Sequence, residues 1–260
     1  MISKFKISLK VESGSVQYNL GYQLYGALME RLPPNMCELL HRDGIAPLSQ
    51  CFVYDRRAEE YCWQICAFDG ILAESIRNVL QQQSTIRIES EGIHFSIQDI
   101  ATERIASARE LMLQAKEAFE NASLIQVKFV TPTSFKQNGQ YVLYPTVQMM
   151  VGNLVHKWNA LNSDMVIEDE YAVNQIMEGL SIHSYKLQSA NFTMKGIRVS
   201  GFVGEVLLKP RLSEPLLEIA KLLFYFANYS GIGIKSTLGM GGASTAAIKA
   251  RVRTGSEHNK

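Results

Sequence analysis

The sequence has 260 residues, 47% hydrophobic and 20% charged, and its 26 Lys and Arg against 25 Asp and Glu leave a formal charge of +1. These values exclude a disordered or collagen-like chain and allow one large domain or two small ones. No apolar run reaches the ~18 residues of a membrane-spanning helix, and the alternating start lacks the continuous apolar core of a signal peptide.

Residues 4–12 alternate, with Phe5, Ile7, Leu9 and Val11 on one side, which predicts a strand. Residues 22–32 carry Leu24, Ala27, Leu28 and Leu32 at helical spacing, and Pro33-Pro34 stops that helix. Residues 50–56 and 60–68 read as a strand pair joined through Arg56, Arg57 and Glu59. Residues 71–82 read as a helix, and 84–89 and 92–97 as short strands. This βαββαβ order is the split-βαβ, ferredoxin-like arrangement, placed at 1–101. Residues 102–122, charged and alanine-rich, suit a helical connector.

From 123 to 250 the plan repeats with longer hairpins. A strand at 124–130, a turn at 131–135 and a returning strand at 139–144 precede an amphipathic helix at 147–161. Residues 189–208 form a long hairpin broken at Lys195-Gly196. A strongly apolar helix at 215–229 ends on Ser230-Gly231, a helix-stop signature. Residues 251–260 are read as a basic, frayed tail. The expected fold is therefore α+β, two ferredoxin-like domains in tandem.

Four cysteines, Cys37, Cys51, Cys62 and Cys66, form no C-x-x-C pair, so free thiols in a reducing cytoplasm are expected, with no metal or disulfide framework. Charge is uneven: residues 1–123 hold 12 basic and 16 acidic side chains, residues 124–260 hold 14 and 9. A polyanion would prefer the second half, where phosphate contacts are favourable; a solvated basic surface is the plainer alternative.

After the last helix, Gly231, Gly233, Gly239, Gly241 and Gly242 put five glycines into twelve residues. Such a segment suits positive φ or close backbone approach. Its successive N–H groups can cradle an anion, and Lys235, Ser236 and Thr237 add donors. Nucleotide-loop motifs fail here: Ile234 separates Gly233 from Lys235, a helix precedes the loop, and Ser236 stands where a dinucleotide fingerprint needs glycine. A phosphate-binding metabolic protein is correspondingly disfavoured.

The spacing Gly231-x-Gly233-x5-Gly239-x-Gly241 resembles the glycine-rich signature of the CRISPR-associated repeat-processing endoribonucleases, the Cas-six family. Three segments agree in order. Phe129-Val-Thr-Pro-Thr-Ser-Phe135 is similar to the start of that family's second domain, and Asn153-Leu-Val-His-Lys-Trp158-Asn159 to the end of its long helix. Leu39-Leu-His41 followed by Pro47-Leu-Ser49 is similar to the stretch bearing its catalytic histidine. The resemblance implies tandem ferredoxin-like domains and cofactor-free, metal-independent cleavage of CRISPR precursor RNA within its repeats. The 2′-hydroxyl would attack the adjacent phosphate, leaving a 2′,3′-cyclic phosphate and a 5′-hydroxyl. It implies repeat RNA and an interference complex as partners. A homodimer is a separate expectation, with no interface signal in the sequence, and no membrane is expected. A catalytically weak RNA-binding subunit of such a complex is the alternative.

That chemistry needs a base, an acid and positive charge near the phosphorane. His41, between a helix and the loop Arg42-Asp43-Gly44, is the expected catalytic imidazole. His156 reads as structural, and His94, His183 and His258 lie elsewhere. Some family members carry a tyrosine where this chain aligns Met29, and a lysine where it has Pro47; Tyr25, one turn earlier, is the candidate substitute, with helix packing its competing reading. Expected RNA-binding residues are Gly231, Gly233, Lys235, Ser236, Gly239 and Gly241, with Arg42, Lys136 and Lys157 as further cations. Arg56 and Arg57 either grip RNA or form a self-neutralised turn. Phe192 and Phe202 are read as core.

Overall fold

The computed structural model describes residues 1–16, 19–162 and 164–249; the expected basic tail at 251–260 lies outside them. The first unit runs β1 (Ile2–Ser13), α1 (Gly21–Met29), α2 (Pro34–His41), β2 (Leu48–Asp55), β3 (Glu60–Ala67), α3 (Gly70–Gln81), β4 (Thr85–Ile88) and β5 (Ile93–Ile105). Its antiparallel sheet has the order β2-β3-β1-β5-β4. Alternation in β1 buries Phe5, Ile7 and Leu9 completely against α1 and α3 and leaves Lys6 and Lys10 exposed. Asp69 caps α3 by accepting from the Leu72 N–H, and Leu72, Ala73, Ile76 and Leu80 form its buried stripe. Pro33-Pro34 does more than stop a helix. Pro33 is the N-cap of α2 and Pro34 opens it, where a missing N–H costs nothing.

The second unit runs α4 (Ala108–Ala118), β6 (Leu124–Thr133), β7 (Phe135–Gln137), β8 (Gln140–Val142), α5 (Val147–Leu161), α6 (Glu170–Gly179), β9 (Leu180–Met194), β10 (Ile197–Pro210), α7 (Glu214–Ser230) and β11 (Ala243–Ile248). Its main sheet has the order β11-β6-β10-β9. In the first sheet β1 lies between β3 and β5, in the second β6 lies between β10 and β11, and in both the second strand of the sheet lies outside the third. The two ferredoxin-like domains are therefore confirmed. Among the described residues no helix is long and apolar enough to cross a membrane.

Four expectations change. β5 continues through Ile105 because β1 is long enough to pair with it back to Ile2, so the connector expected from 102 starts later. Its helix, α4, is no free linker: Leu111 and the C-cap residue Phe119 join the second core, and Ala115, between them in sequence, is buried too. The turn expected at 131–135 is largely strand. β6 runs to Thr133, and the β6–β10 register breaks between Phe202 and Gly204. There Val130 and Pro132 bond to Gly242 and Gly241 instead. Finally, α6 and β11 were unanticipated, and the hairpin expected from 189 begins at Leu180. Its tip is at Lys195-Gly196 as expected, both residues having positive φ (47° and 71°).

The two units meet face to face. Lys4 Nζ donates to the Asn228 carbonyl at 3.2 Å and sits over the Tyr229 ring. The Ser49 hydroxyl donates to the Tyr229 carbonyl, and the Tyr229 hydroxyl donates to Glu103 at 2.7 Å.

Candidate nucleic-acid interface and active site

The glycine-rich segment is the keystone of the interface between the units. Gly239, at φ +105°, lies where a Cβ would come 2.9 Å from the Cα of Gly21 at the start of α1. At Gly241, at φ +70°, a Cβ would sit 2.2 Å from the Ile232 carbonyl. Ile232 and Met240 between these contacts are fully buried. The segments singled out in the sequence converge on this turn. From β6 and the residue after it, Pro132 O and Ser134 O accept from the Gly241 and Ile234 N–H groups, and Thr131 Oγ1 accepts from the Gly242 N–H. From α5, Asn153 Oδ1 accepts from the Gly233 N–H at 2.7 Å. From β2, the Leu48 carbonyl accepts from the Thr237 hydroxyl at 3.1 Å. Gln50, also on β2, donates to the Gly21 and Thr237 carbonyls and accepts from Trp63 Nε1.

This accounting leaves three consecutive N–H groups, those of Lys235, Ser236 and Thr237, without a protein acceptor among the described residues. Lys235 has αL geometry (φ 56°, ψ 32°), and a short 3-10 turn, Ser236–Leu238, follows it. The backbone thus presents a row of donors beside a lysine side chain. They open onto a cleft of about 1020 Å³ between the units.

His41, the last residue of α2, lines the same cleft. Its Nδ1 lies 2.8 Å from the Cys37 carbonyl. A carbonyl only accepts, so the proton of the neutral ring is on Nδ1, and Nε2 is left to accept or, once protonated, to donate. The Cys37 thiol, donating to the Met29 carbonyl at 3.4 Å, ties α2 to the end of α1.

Of the other expected site residues, Tyr25, Arg42, Gly233, Lys235 and Ser236 reach this cleft. Tyr25 is only 8% exposed, and burial, followed by the neighbouring Cys37, raises its phenol above the ordinary range, so it stays neutral. Gly231, Gly239 and Gly241 are buried packing positions, away from the cleft wall. Lys136 lies on β7, also outside the cleft lining. Lys157 borders the cleft but is 3% exposed, and its ammonium donates to Ser230 O, Gly231 O and Ser236 Oγ at 3.0–3.2 Å. All three of its donors are engaged within the protein, so direct contact with RNA gives way to a hold on the turn. Arg56 and Arg57 sit in the exposed β2–β3 turn, where Asp55 accepts from the Arg57 and Ala58 N–H groups. Phe192 and Phe202 are core residues, as expected.

Sequence reasoning missed Arg87 and Lys195 and undervalued His156; all three border the cleft. Arg87 points outward between buried Ile86 and Ile88 of β4, an alternation that was legible. Lys195 is brought in by the hairpin, whose Phe192, Met194 and Val199 pack with Met240 and Tyr22.

Two ferredoxin-like domains joined across a glycine-rich turn, with a histidine-bearing helix end on the same cleft, define a tandem ferredoxin-like protein. Comparison with known proteins narrows this class. Residues 127–243 match the family model for CRISPR-associated endoribonuclease Cas6. The chain is 24% identical over 224 residues to the Streptococcus thermophilus CRISPR-associated endoribonuclease Cas6, covering 86% of this chain and 90% of that one. It is 26% identical over 247 residues to the Mycobacterium tuberculosis Cas6, covering 92% and 77%. Among solved structures, a Cas6 product complex aligns with a TM-score of 0.75 at 19% identity, covering 95% of this chain and all of the other. Thermus thermophilus Cas6 aligns at 0.70 and 20% identity, covering 94% and 98%. The chain is thus similar to Cas6 endoribonucleases over most of its length, and the family model is matched within its second unit.

Proposed function

We propose that the protein is an endoribonuclease that cuts CRISPR precursor RNA within its repeats and hands the guide RNA to an interference complex. The observation carrying this reading is that His41 and the unpaired N–H row at 235–237 border one cleft. In the proposed reaction the backbone donors and Lys235 hold the scissile phosphate and stabilise the charge of the phosphorane. Arg42, on the residue after His41, adds positive charge. His41 moves a proton through Nε2, taking it from the 2′-hydroxyl or giving it to the departing 5′-oxygen. The chemistry is that of the bound ribose, and the proposed cut requires no metal.

The test incubates the protein with a repeat RNA from its own genome in excess chelator. Cleavage to 2′,3′-cyclic phosphate and 5′-hydroxyl ends is expected, and deoxyribose at the cut site should abolish it. Scission of the deoxy substrate would refute the 2′-hydroxyl mechanism. A second reading, an RNA-binding subunit with feeble catalysis, draws on the burial of Tyr25, which counts against it as the proton partner of His41. Tight binding with no cut would favour it.

A further inference from the structure

Lys157 carries a positive charge to a place where no carboxylate among the described residues pairs with it. Its partners are two carbonyls and a hydroxyl, all neutral, and burial alone lowers it from 10.5 to about 7. Buried ammonium groups ordinarily pair with an anion, because an unpaired charge out of water is costly. The charged and titratable groups bordering the same cleft are mixed. His156 comes from its own helix, Tyr22, Tyr25 and Glu30 from α1, and His41 and Arg42 from the end of α2. Arg87 and Glu89 come from the β4 region, and Lys195 and Lys235 from the hairpin and the turn. Toward the cleft the turn sets the Lys235 side chain and the N–H groups of 235–237, which have no acceptor among the described residues. Ser236 joins the two. Its Oγ accepts from Lys157 at 3.2 Å, and its hydroxyl hydrogen remains available to an acceptor in the cleft.

We propose that Lys157 is a positioning residue whose buried ammonium finds its counter-charge in an RNA phosphate seated on residues 235–237, with the Ser236 hydroxyl accepting from Lys157 and donating to that phosphate. The proposal rests on the RNA reading above. It makes the shape of the turn depend on a proton on Lys157, and it makes RNA binding draw that proton in. Lys157 touches no reacting atom; it acts through the turn.

The experiment titrates the full chain calorimetrically with repeat RNA carrying deoxyribose at the cut site. It is run at about pH 7.5 in two buffers of different ionisation enthalpy, for wild type, K157M and S236A. Wild type should take up roughly half a proton more than K157M on binding, with S236A between them. Uptake at all other groups is read from K157M and subtracted. In single-turnover cleavage, K157M should lose rate about tenfold or more while affinity falls less, because the cradle is misshapen and not removed. Equal proton uptake in wild type and K157M, with RNA bound by both, would overturn the coupling alone. Absence of RNA binding by wild type would overturn the RNA reading and the coupling with it. Should K157M not fold, carbon-13 labelling of lysine Cε in wild type answers the same question. One lysine titrating near neutrality in the free protein, and leaving that range when RNA binds, supports the proposal. All lysines titrating above about 9 in the free protein would refute it.

Discussion

His41 owes its readiness to one main-chain bond. Because the Cys37 carbonyl holds the Nδ1 proton, the ring meets the cleft through Nε2 in a single tautomer, without needing a carboxylate to orient it. His41→Ala should therefore reduce single-turnover cleavage by roughly 10²–10⁴-fold, the usual cost of losing a general acid or base. RNA affinity should stay near wild type, because the N–H row is untouched; an unchanged rate would remove His41 from the mechanism. Tyr25 makes a useful contrast. Burial keeps its phenol neutral, and it lies among the core residues of α1. Tyr25→Phe is expected to slow the same assay by less than about tenfold, below the range typical of an acid–base residue. A loss as large as that of His41→Ala would make Tyr25 the missing proton partner.

At the level of elements, the glycine-rich turn works as a joint. Gly239→Ala would add a Cβ 2.9 Å from the Gly21 Cα, at a φ of +105° that only glycine adopts freely. Destabilisation of about 1–3 kcal/mol is expected from strain of this kind, measured by urea unfolding, together with weaker RNA binding as the turn shifts off α1. Unchanged stability and affinity would mean that the joint yields without consequence. The sequence announced this joint by glycine density, and it announced the strands and helices whose periodicity was strong, such as β1, α5 and α7. It was silent where burial was one-sided or slight. In α6 only Ile176 is buried, and β11 is built of small residues, so neither has a hydrophobic period to read. Which glycines pack and which face the cleft was illegible for another reason. It depends on partners as distant in sequence as Ser134 in the same unit and Gly21 across the seam, which only the folded molecule supplies. Lys157 misled because a lysine in a helix reads as surface until tertiary contacts bury it.

For the whole molecule, the seam between the units fixes how stability responds to pH. Two thiols lie in that seam: a Cβ on Gly242 would come 2.7 Å from the Cβ of Cys51, and Cys66 borders the same small gap beside α7. Burial is the main cause pushing Cys51 up to about 12 and Cys66 to about 11, from 9.0. Lys157, at the cleft end of the seam, moves the opposite way, from 10.5 down to about 7. Between pH 7 and 9 the unfolded chain keeps the Lys157 proton more firmly than the folded one. Stability of the RNA-free protein should therefore rise with pH, at most about 1.4 kcal/mol per pH unit for one proton. Above 9 the thiols reverse the slope: unfolding releases their protons, and the stability gained by keeping them neutral is lost as pH climbs toward 11 and 12. Thermal melting in a reducing buffer should show a maximum near pH 9. K157M should flatten the rising limb, and Cys51→Ala combined with Cys66→Ala should flatten the falling one. A melting temperature that declines from pH 7 onward in wild type would show that Lys157 keeps its proton in the folded state, and that the seam already holds an anion for it.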